Sequence, residues 1–300
     1  MKEGPPAVEG YVEHQGYRTW YRVVGDGEDR GALPLLCLHG GPGAPHDYLE
    51  PLEEMALTGR RVVFYDQLGC GNSDKPSDPS MWTVGLFLVE LAAVRRELGL
   101  GRVHILGQSW GGMLALEYAL TRPEGLKSVV LASSPASVPQ WISEAYRLRS
   151  ELPEDTLRVL EEHEEAGTTS DPAYEEAMFT YYRRHVCRMD PWPGYVVRTF
   201  EKAGQHPEVY NTMWGPSEFV ANGTLEEWDL TSRLGEIEVP ALITSGKYDE
   251  MTPLMARTVK EGIPGSRWVL FERSAHMSHA EEKKRYLEVL ARFLASVEAR

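Results

Sequence analysis

One stretch of this chain constrains its fold more than any other. An apolar, β-branched run at residues 103–107 leads without a break into Gly107-Gln108-Ser109-Trp110-Gly111-Gly112. A helical pattern follows over 112–120, with apolar residues at three- and four-residue spacing. A buried strand that turns into a helix at a serine between glycines is a nucleophile elbow. The serine there takes strained backbone angles, and Cβ atoms on the flanking residues would collide with the turn. Its hydroxyl then stands clear of the sheet edge. The following N–H, that of Trp110, lies at a helix N-terminus, where negative charge is favoured.

The rest of the chain alternates short β-rich runs with longer helical patterns. That alternation predicts an α/β fold: a mostly parallel sheet with helices on both faces. Residues 10–14 and 17–24 lie close enough for an antiparallel hairpin. Runs at 34–38, 61–66, 103–107, 128–133, 241–246 and 268–272 bring the expected strands to eight, and helical periodicity is clear at 84–98 and 281–297. The alternation fails once. About a hundred residues separate Pro135 from Gly235, where a βα unit needs far fewer. Helical patterning at 142–163 and 174–186 marks this interval as a helical cap, residues 136–235, inserted between two core segments, 1–135 and 236–300.

Charge and cysteine content narrow the function classes. The chain carries 31 Lys+Arg against 45 Asp+Glu, a net −14, with no basic stripe. This argues against a nucleic-acid or anionic-membrane partner. The interval 136–234 holds 18 acidic and 9 basic residues and so supplies most of that charge. Three cysteines (Cys37, Cys70, Cys187) cannot all pair within one molecule, which fits reduced thiols in the cytoplasm. The opening MKEGPPAVEG lacks the apolar core of a leader peptide. No run reaches the ~18 apolar residues of a membrane span. A cytoplasmic protein, monomeric in the simplest case, is the expectation.

A serine hydroxyl is a poor nucleophile unless an imidazole takes its proton and a carboxylate fixes the imidazole's tautomer. In a sheet with this elbow the chain order is serine, acid, histidine. Of nine histidines only His276 and His279 follow the last strand. His276 sits on the short loop before the final helix; His279, at the helix start, reads as solvent-facing or capping. Asp249 follows the run 241–246 by three residues, on a loop at the C-terminal sheet edge. Asp66 precedes Ser109 and is better placed to brace the turn that follows it, and Asp229 lies too far upstream. The expected triad is Ser109, Asp249 and His276. The loop His39-Gly40-Gly41-Pro42-Gly43, directly after PLLCL, is placed to give the second oxyanion donor. Gly41 is assigned that role beside Trp110, with Gly40 as the alternative; His39 reads as a loop brace. No metal or other cofactor is implied, because the chain has no HExxH and its cysteines lack ligand spacing.

Five segments together resemble a known family. HGGPG (39–43), DQLGCGNSD (66–74), GQSWGG (107–112), GKYDEMTP (246–253) and SAH (274–276) are similar to the proline iminopeptidases of the α/β-hydrolase fold. The nearest branch is that of the tricorn-interacting aminopeptidases and L-amino acid amidases. The resemblance runs from about Gly10 to the last helix and takes in MWGPSEFVANGTLEEWD, residues 213–229. It implies a serine peptidase that cleaves the amide bond after an unblocked N-terminal residue, proline favoured, in short peptides or aminoacyl amides. It also implies carboxylates at the cap–core boundary that hold the substrate's ammonium group, at positions matching Glu218 and Glu250. Electrostatics points the same way, since deleting one member of a buried ion pair costs ~2–5 kcal/mol. Without that role Glu218 is a solvated charge and Glu250 a helix-terminal residue favoured by the macrodipole. Trp110, Trp141 and Phe219 are candidates for the side-chain pocket. Rival readings are an amidase without proline preference, an esterase, lipase or acyltransferase with the same triad, and a ligand receptor on a hydrolase fold.

Overall fold

The strands are β1 (Ala7–His14), β2 (Tyr17–Val24), β3 (Leu35–Leu38), β4 (Val62–Tyr65), β5 (Val103–Gln108), β6 (Leu126–Ala132), β7 (Ala241–Gly246) and β8 (Arg267–Phe271). They form one eight-stranded sheet in the order β1-β2-β4-β3-β5-β6-β7-β8. The structure, a computed structural model, describes residues 5–27 and 31–300. The first four residues of the opening stretch read above as lacking a leader lie outside the described residues. β1 and β2 form the expected hairpin, and β2 pairs antiparallel with β4. Every other pairing is parallel.

Strands buried on both faces carry apolar residues at successive positions, and here alternate residues enter different cores. Leu36, Val63, Ile105, Val129 and Ile243 face one core with residues of α1 (Val84–Glu97), α2 (Trp110–Leu120) and α8 (Pro253–Gly262). Leu35, Val62, Leu106, Val130 and Leu242 face the other, with a 3-10 helix (His46–Thr58) and α10 (Lys283–Glu298). The chain leaves β3 for β4 on one side and returns to β5 on the other. The strand order therefore reverses at the β3/β5 boundary, and the crevice at their C-terminal ends is where such sheets bind ligands.

Between β6 and β7 run α3 (Val138–Ser150), α4 (Glu154–Ala166), α5 (Pro172–His185), α6 (Gly194–Gln205) and α7 (Glu208–Met213). Leu148, Leu160, Tyr174, Tyr181 and Phe219 form a small core within this insertion. The helix expected over 142–163 is two helices. Pro153 precedes α4, and a proline ring clashes with the preceding turn while offering no N–H, so α3 ends before it. The last helix is also divided, into α9 (Ser278–Glu281) and α10, at Glu282. The Glu282 carboxylate turns back to accept hydrogen bonds from the Arg273 N–H at 3.0 Å and the Ser274 hydroxyl at 2.8 Å. The three cysteines are buried and unpaired. Among the described residues no helix is long and apolar enough to cross a membrane.

Candidate active site

Ser109 joins β5 to α2 with φ 54° and ψ −124°, the left-handed side of φ that a residue with a Cβ rarely adopts. Strain of this kind persists only where the surroundings dictate it. They do: a Cβ on Gly107 would stand 2.1 Å from the Gly111 carbonyl oxygen, and one on Gly111 2.3 Å from that of Leu38. Only glycine lets the turn close. The Ser109 N–H is tied to the Ala132 carbonyl at 2.9 Å. Trp110 opens α2, so its N–H has no carbonyl a turn earlier to bind.

The loop after β3 lies against this turn, since a Cβ on Gly40 would stand 3.0 Å from the Ser109 Cβ. Its two candidate donors differ. The Gly40 N–H already donates to the Tyr48 hydroxyl at 2.7 Å, which favours Gly41, held at φ 106°, as the donor facing a ligand. His39 braces the loop as the sequence suggests. Its Nε2 accepts from the Gln67 N–H at 2.8 Å, and its Nδ1–H donates to the Gly40 carbonyl at 2.9 Å. Burial pulls its pKa down to about 4, so it stays neutral. Asp66 likewise braces its turn, accepting from the His46 N–H at 2.9 Å, His46 Nδ1 at 2.7 Å and the Asn72 N–H at 2.8 Å. Burial opposes its charge, but the His46 interactions outweigh it and bring the pKa to about 2.

Loops after β7 and β8 deliver the acid and the imidazole. Asp249 is buried, and its carboxylate accepts from the Met251 N–H at 2.8 Å and the Gly246 N–H at 3.3 Å. Its Oδ1 lies 2.7 Å from His276 Nδ1. That bond puts the imidazole proton on Nδ1 and leaves Nε2 to accept one. Gln108, immediately before Ser109, donates from its side chain to the His276 carbonyl at 3.3 Å, so the imidazole loop abuts the elbow. Glu281 straddles the same loop. It accepts from the Ala275 and Met277 N–H groups at 3.0 and 3.3 Å, and from the Arg188 N–H of the insertion at 3.1 Å. Burial raises its pKa to about 7.

The two carboxylates singled out by resemblance also converge here. Glu250 is 3% exposed, and its Oε1 lies 3.8 Å from His276 Nε2. Burial, then the charges of Glu218 and Asp249, hold its pKa well above the usual carboxylate range. Glu218 is half-buried, accepts from the Tyr210 hydroxyl at 2.7 Å, and is raised chiefly by burial. A buried carboxylate held up by the charge of a second one nearby makes a strong site for a cation. Around them the buried polar atoms Glu250 Oε2, Tyr181 Oη, Trp141 Nε1 and Trp214 Nε1 have no hydrogen-bond partner. Tyr181 is close enough to favour the Glu250 charge but stands outside hydrogen-bond geometry.

One sequence expectation needs correction. His279 is buried, not solvent-facing; its Nε2 contacts the Tyr48 carbonyl at 3.0 Å and its ring packs edge-on to Tyr48. The Trp110 side chain, a pocket candidate, is in the core, its indole N–H donating to Gln67 Oε1 at 2.9 Å. Phe219, another pocket candidate, packs inside the insertion, edge-on to Tyr181 at 4.7 Å between ring centroids. Trp141 does reach the site, edge-on to the His276 ring at 6.2 Å, and Trp214 stacks edge-on to Trp141 at 5.4 Å. Sequence reasoning missed Trp214, Tyr181, Tyr210 and Glu281. Trp214 lies in the segment that carried the resemblance, four residues before Glu218; the other three carry no local signal. Among the described residues no group of three or more His, Cys, Asp or Glu is arranged to hold a metal ion.

Comparison with known proteins places this geometry in context. A family model described as alpha/beta hydrolase fold matches residues 34–283. A proline iminopeptidase of Clostridium botulinum is 42% identical over 289 residues, covering 96% of this chain and 98% of its own. The crystal structure of VinJ superposes with a TM-score of 0.94 at 42% identity, covering 98% of this chain and 100% of its own. That of a Mycobacterium smegmatis proline iminopeptidase superposes with a TM-score of 0.91 at 40% identity, covering 97% and 99%.

Proposed function

Because the chain belongs to the proline iminopeptidase family of α/β-hydrolases, we propose that it is a serine aminopeptidase. It removes an N-terminal residue, proline by preference, from short peptides or aminoacyl amides through an acyl-enzyme. The observation that carries this reading is the pair of half-buried Glu218 and buried Glu250 beside His276, with Glu250 Oε1 3.8 Å from the imidazole Nε2. An esterase has no use for two carboxylates there, whereas a substrate with a free amine needs them. The charge of an ammonium group brought out of water must be met by an opposite charge.

His276 takes the Ser109 proton as Oγ attacks the carbonyl carbon of the N-terminal residue, and the C=O electron pair moves onto oxygen. The oxyanion is held by the N–H groups of Gly41 and Trp110. As the tetrahedral intermediate collapses, the C–N bond breaks and the amine leaves with the proton from His276. Water, deprotonated by His276, then releases the acyl group by the same path. Asp249 holds the imidazole tautomer and stabilises its charged form. Glu218 and Glu250 fix the ammonium group, so that only the bond after the first residue meets Ser109. Residues 136–235 act as a cap that limits substrates to short ones. One chain supplies every group invoked, consistent with a monomer, and three unpaired thiols suit the cytoplasm.

Hydrolysis of a panel of aminoacyl anilides and amides, each with a free and an acetylated amine, tests the reading. Prolyl derivatives should be cleaved fastest, and acetylation should abolish turnover. Cleavage indifferent to acetylation would overturn the aminopeptidase assignment, and faster cleavage of non-prolyl amides would overturn the proline preference alone.

A further inference from the structure

Tyr48 lies in the 3-10 helix His46–Thr58, is 2% exposed, and has no part in the chemistry just described. Its hydroxyl nevertheless accepts from the Gly40 N–H at 2.7 Å and donates to Gln108 Oε1 at 2.5 Å. Gln108 in turn donates from Nε2 to the His276 carbonyl at 3.3 Å. The donors and acceptors run in one sense along this chain, so each group has a single consistent role. Burial pushes the Tyr48 phenol up, which keeps it protonated and able to donate. The backbone of the same residue is fixed from two further sides. Its N–H donates to Thr199 Oγ1 of α6 at 2.9 Å, and its carbonyl contacts His279 Nε2 at 3.0 Å. One buried side chain thus joins the oxyanion loop, the residue before the nucleophile and the imidazole loop, while its backbone is held by the helical insertion.

We propose that Tyr48, acting through Gln108, is a positioning residue that holds the oxyanion loop and the imidazole loop in register with Ser109. The proposal rests on the assignment of Ser109, His276 and Gly41 made above. The Gly40 N–H precedes the Gly41 donor by one residue. Engaging it fixes the peptide plane next to that donor, and anchoring the His276 carbonyl fixes the loop that carries the base. Removing the hydroxyl leaves two buried groups, the Gly40 N–H and Gln108 Oε1, without their partner, and the cheapest relief is movement of the glycine loop.

The test is Tyr48→Phe in the full-length chain. Loss of an oxyanion donor lowers kcat by ~10²–10³, and a displaced donor loses part of that, so kcat should fall ~10–100-fold. KM and inhibition by the free amino acid product should stay within about twofold, because the ammonium site is untouched. The rate at which a fluorophosphonate labels Ser109 should fall with kcat, a readout that a purely structural role would not move in a folded protein. Gln108→Leu should give a similar loss, and the double variant should lose no more than either single one, as expected of groups acting as a unit. Should Tyr48→Phe fail to fold, Gln108→Leu alone carries the same two rate measurements. Unchanged kcat and labelling in a folded variant, or losses that multiply in the double variant, would overturn the proposal. Labelling also separates it from the substrate reading. Wild-type protein labelled at Ser109 but inactive on every aminoacyl anilide defeats the aminopeptidase assignment, and the labelling rate of Tyr48→Phe still decides the role of Tyr48.

Discussion

Replacing Glu250 by Gln separates its two consequences, one for substrate and one for stability, and they have opposite signs. The carboxylate is 3% exposed, lies 3.8 Å from His276 Nε2 and is raised well above the usual carboxylate range by burial, Glu218 and Asp249. If it holds an ammonium group, the variant leaves that cation with Glu218 alone. Breaking a buried pair in this way costs about 2–5 kcal/mol, or roughly 30- to 5,000-fold in kcat/KM. Stability moves the other way. A carboxyl whose pKa is higher folded than unfolded stabilises the fold while protonated, and that contribution is lost as pH rises above the unfolded value toward the folded one. At neutral pH and above the wild-type charge therefore costs stability, and Glu250→Gln removes the cost. At pH 4, where both states are largely protonated, the variant gains little. The assay is kcat/KM on prolyl anilide beside p-nitrophenyl acetate, which has no amine, with thermal midpoints at pH 4 and pH 8. The expected result is a large loss on the anilide, a change within about threefold on the acetate, and a raised midpoint at pH 8 only. An equal loss on both substrates would show that Glu250 serves the imidazole and not the amine, and would falsify the ammonium assignment.

Asp249→Asn removes the acceptor that fixes the His276 tautomer at 2.7 Å, and kcat should fall ~10⁴-fold with the fold intact by circular dichroism. Gly111→Ala puts a Cβ 2.3 Å from the Leu38 carbonyl oxygen, a backbone clash with no soft side to yield, and should leave little soluble protein on expression. Glu90 is buried and raised to about 7 by that burial, against hydrogen bonds from the Thr19 hydroxyl at 2.6 Å and the Leu68 N–H at 2.9 Å. The stability of its protonated form is lost as pH rises from the ordinary value of 4.5 to about 7, so Glu90→Gln should raise the thermal midpoint at pH 8 and leave it nearly unchanged at about pH 4.

What could be read in advance divides along a physical line. The strands, the strand-to-helix turn at Ser109 and the Asp249–His276 pair announce themselves because each depends on a local rule. An apolar run is buried on both faces, a glycine is required where a Cβ meets backbone at 2.1 Å, and the chain order of serine, acid and imidazole follows from the order in which parallel strands end at one sheet edge. Pro153 was equally local, and its break in the helix follows from proline's lack of an N–H once the residue is taken at face value. The groups that stayed hidden work by convergence instead. Tyr181 sits on α5 in a stretch where the sequence shows only helical patterning, yet its ring packs on Phe219 and its hydroxyl approaches Glu250, some seventy positions on, without any spacing to signal it. His279 shows the same limit from the other side. At a helix start it reads as exposed, but Tyr48, from 231 positions earlier, covers it. Even the Glu218–Glu250 pair was reached through resemblance, because no local rule distinguishes an amine-binding carboxylate from a solvated one. That distinction is made by burial and by the charge of a distant partner, and only the folded chain supplies both. Residues of this second kind therefore have to be tested by perturbing the partner as well as the residue, as the paired substitutions at Tyr48 and Gln108 do.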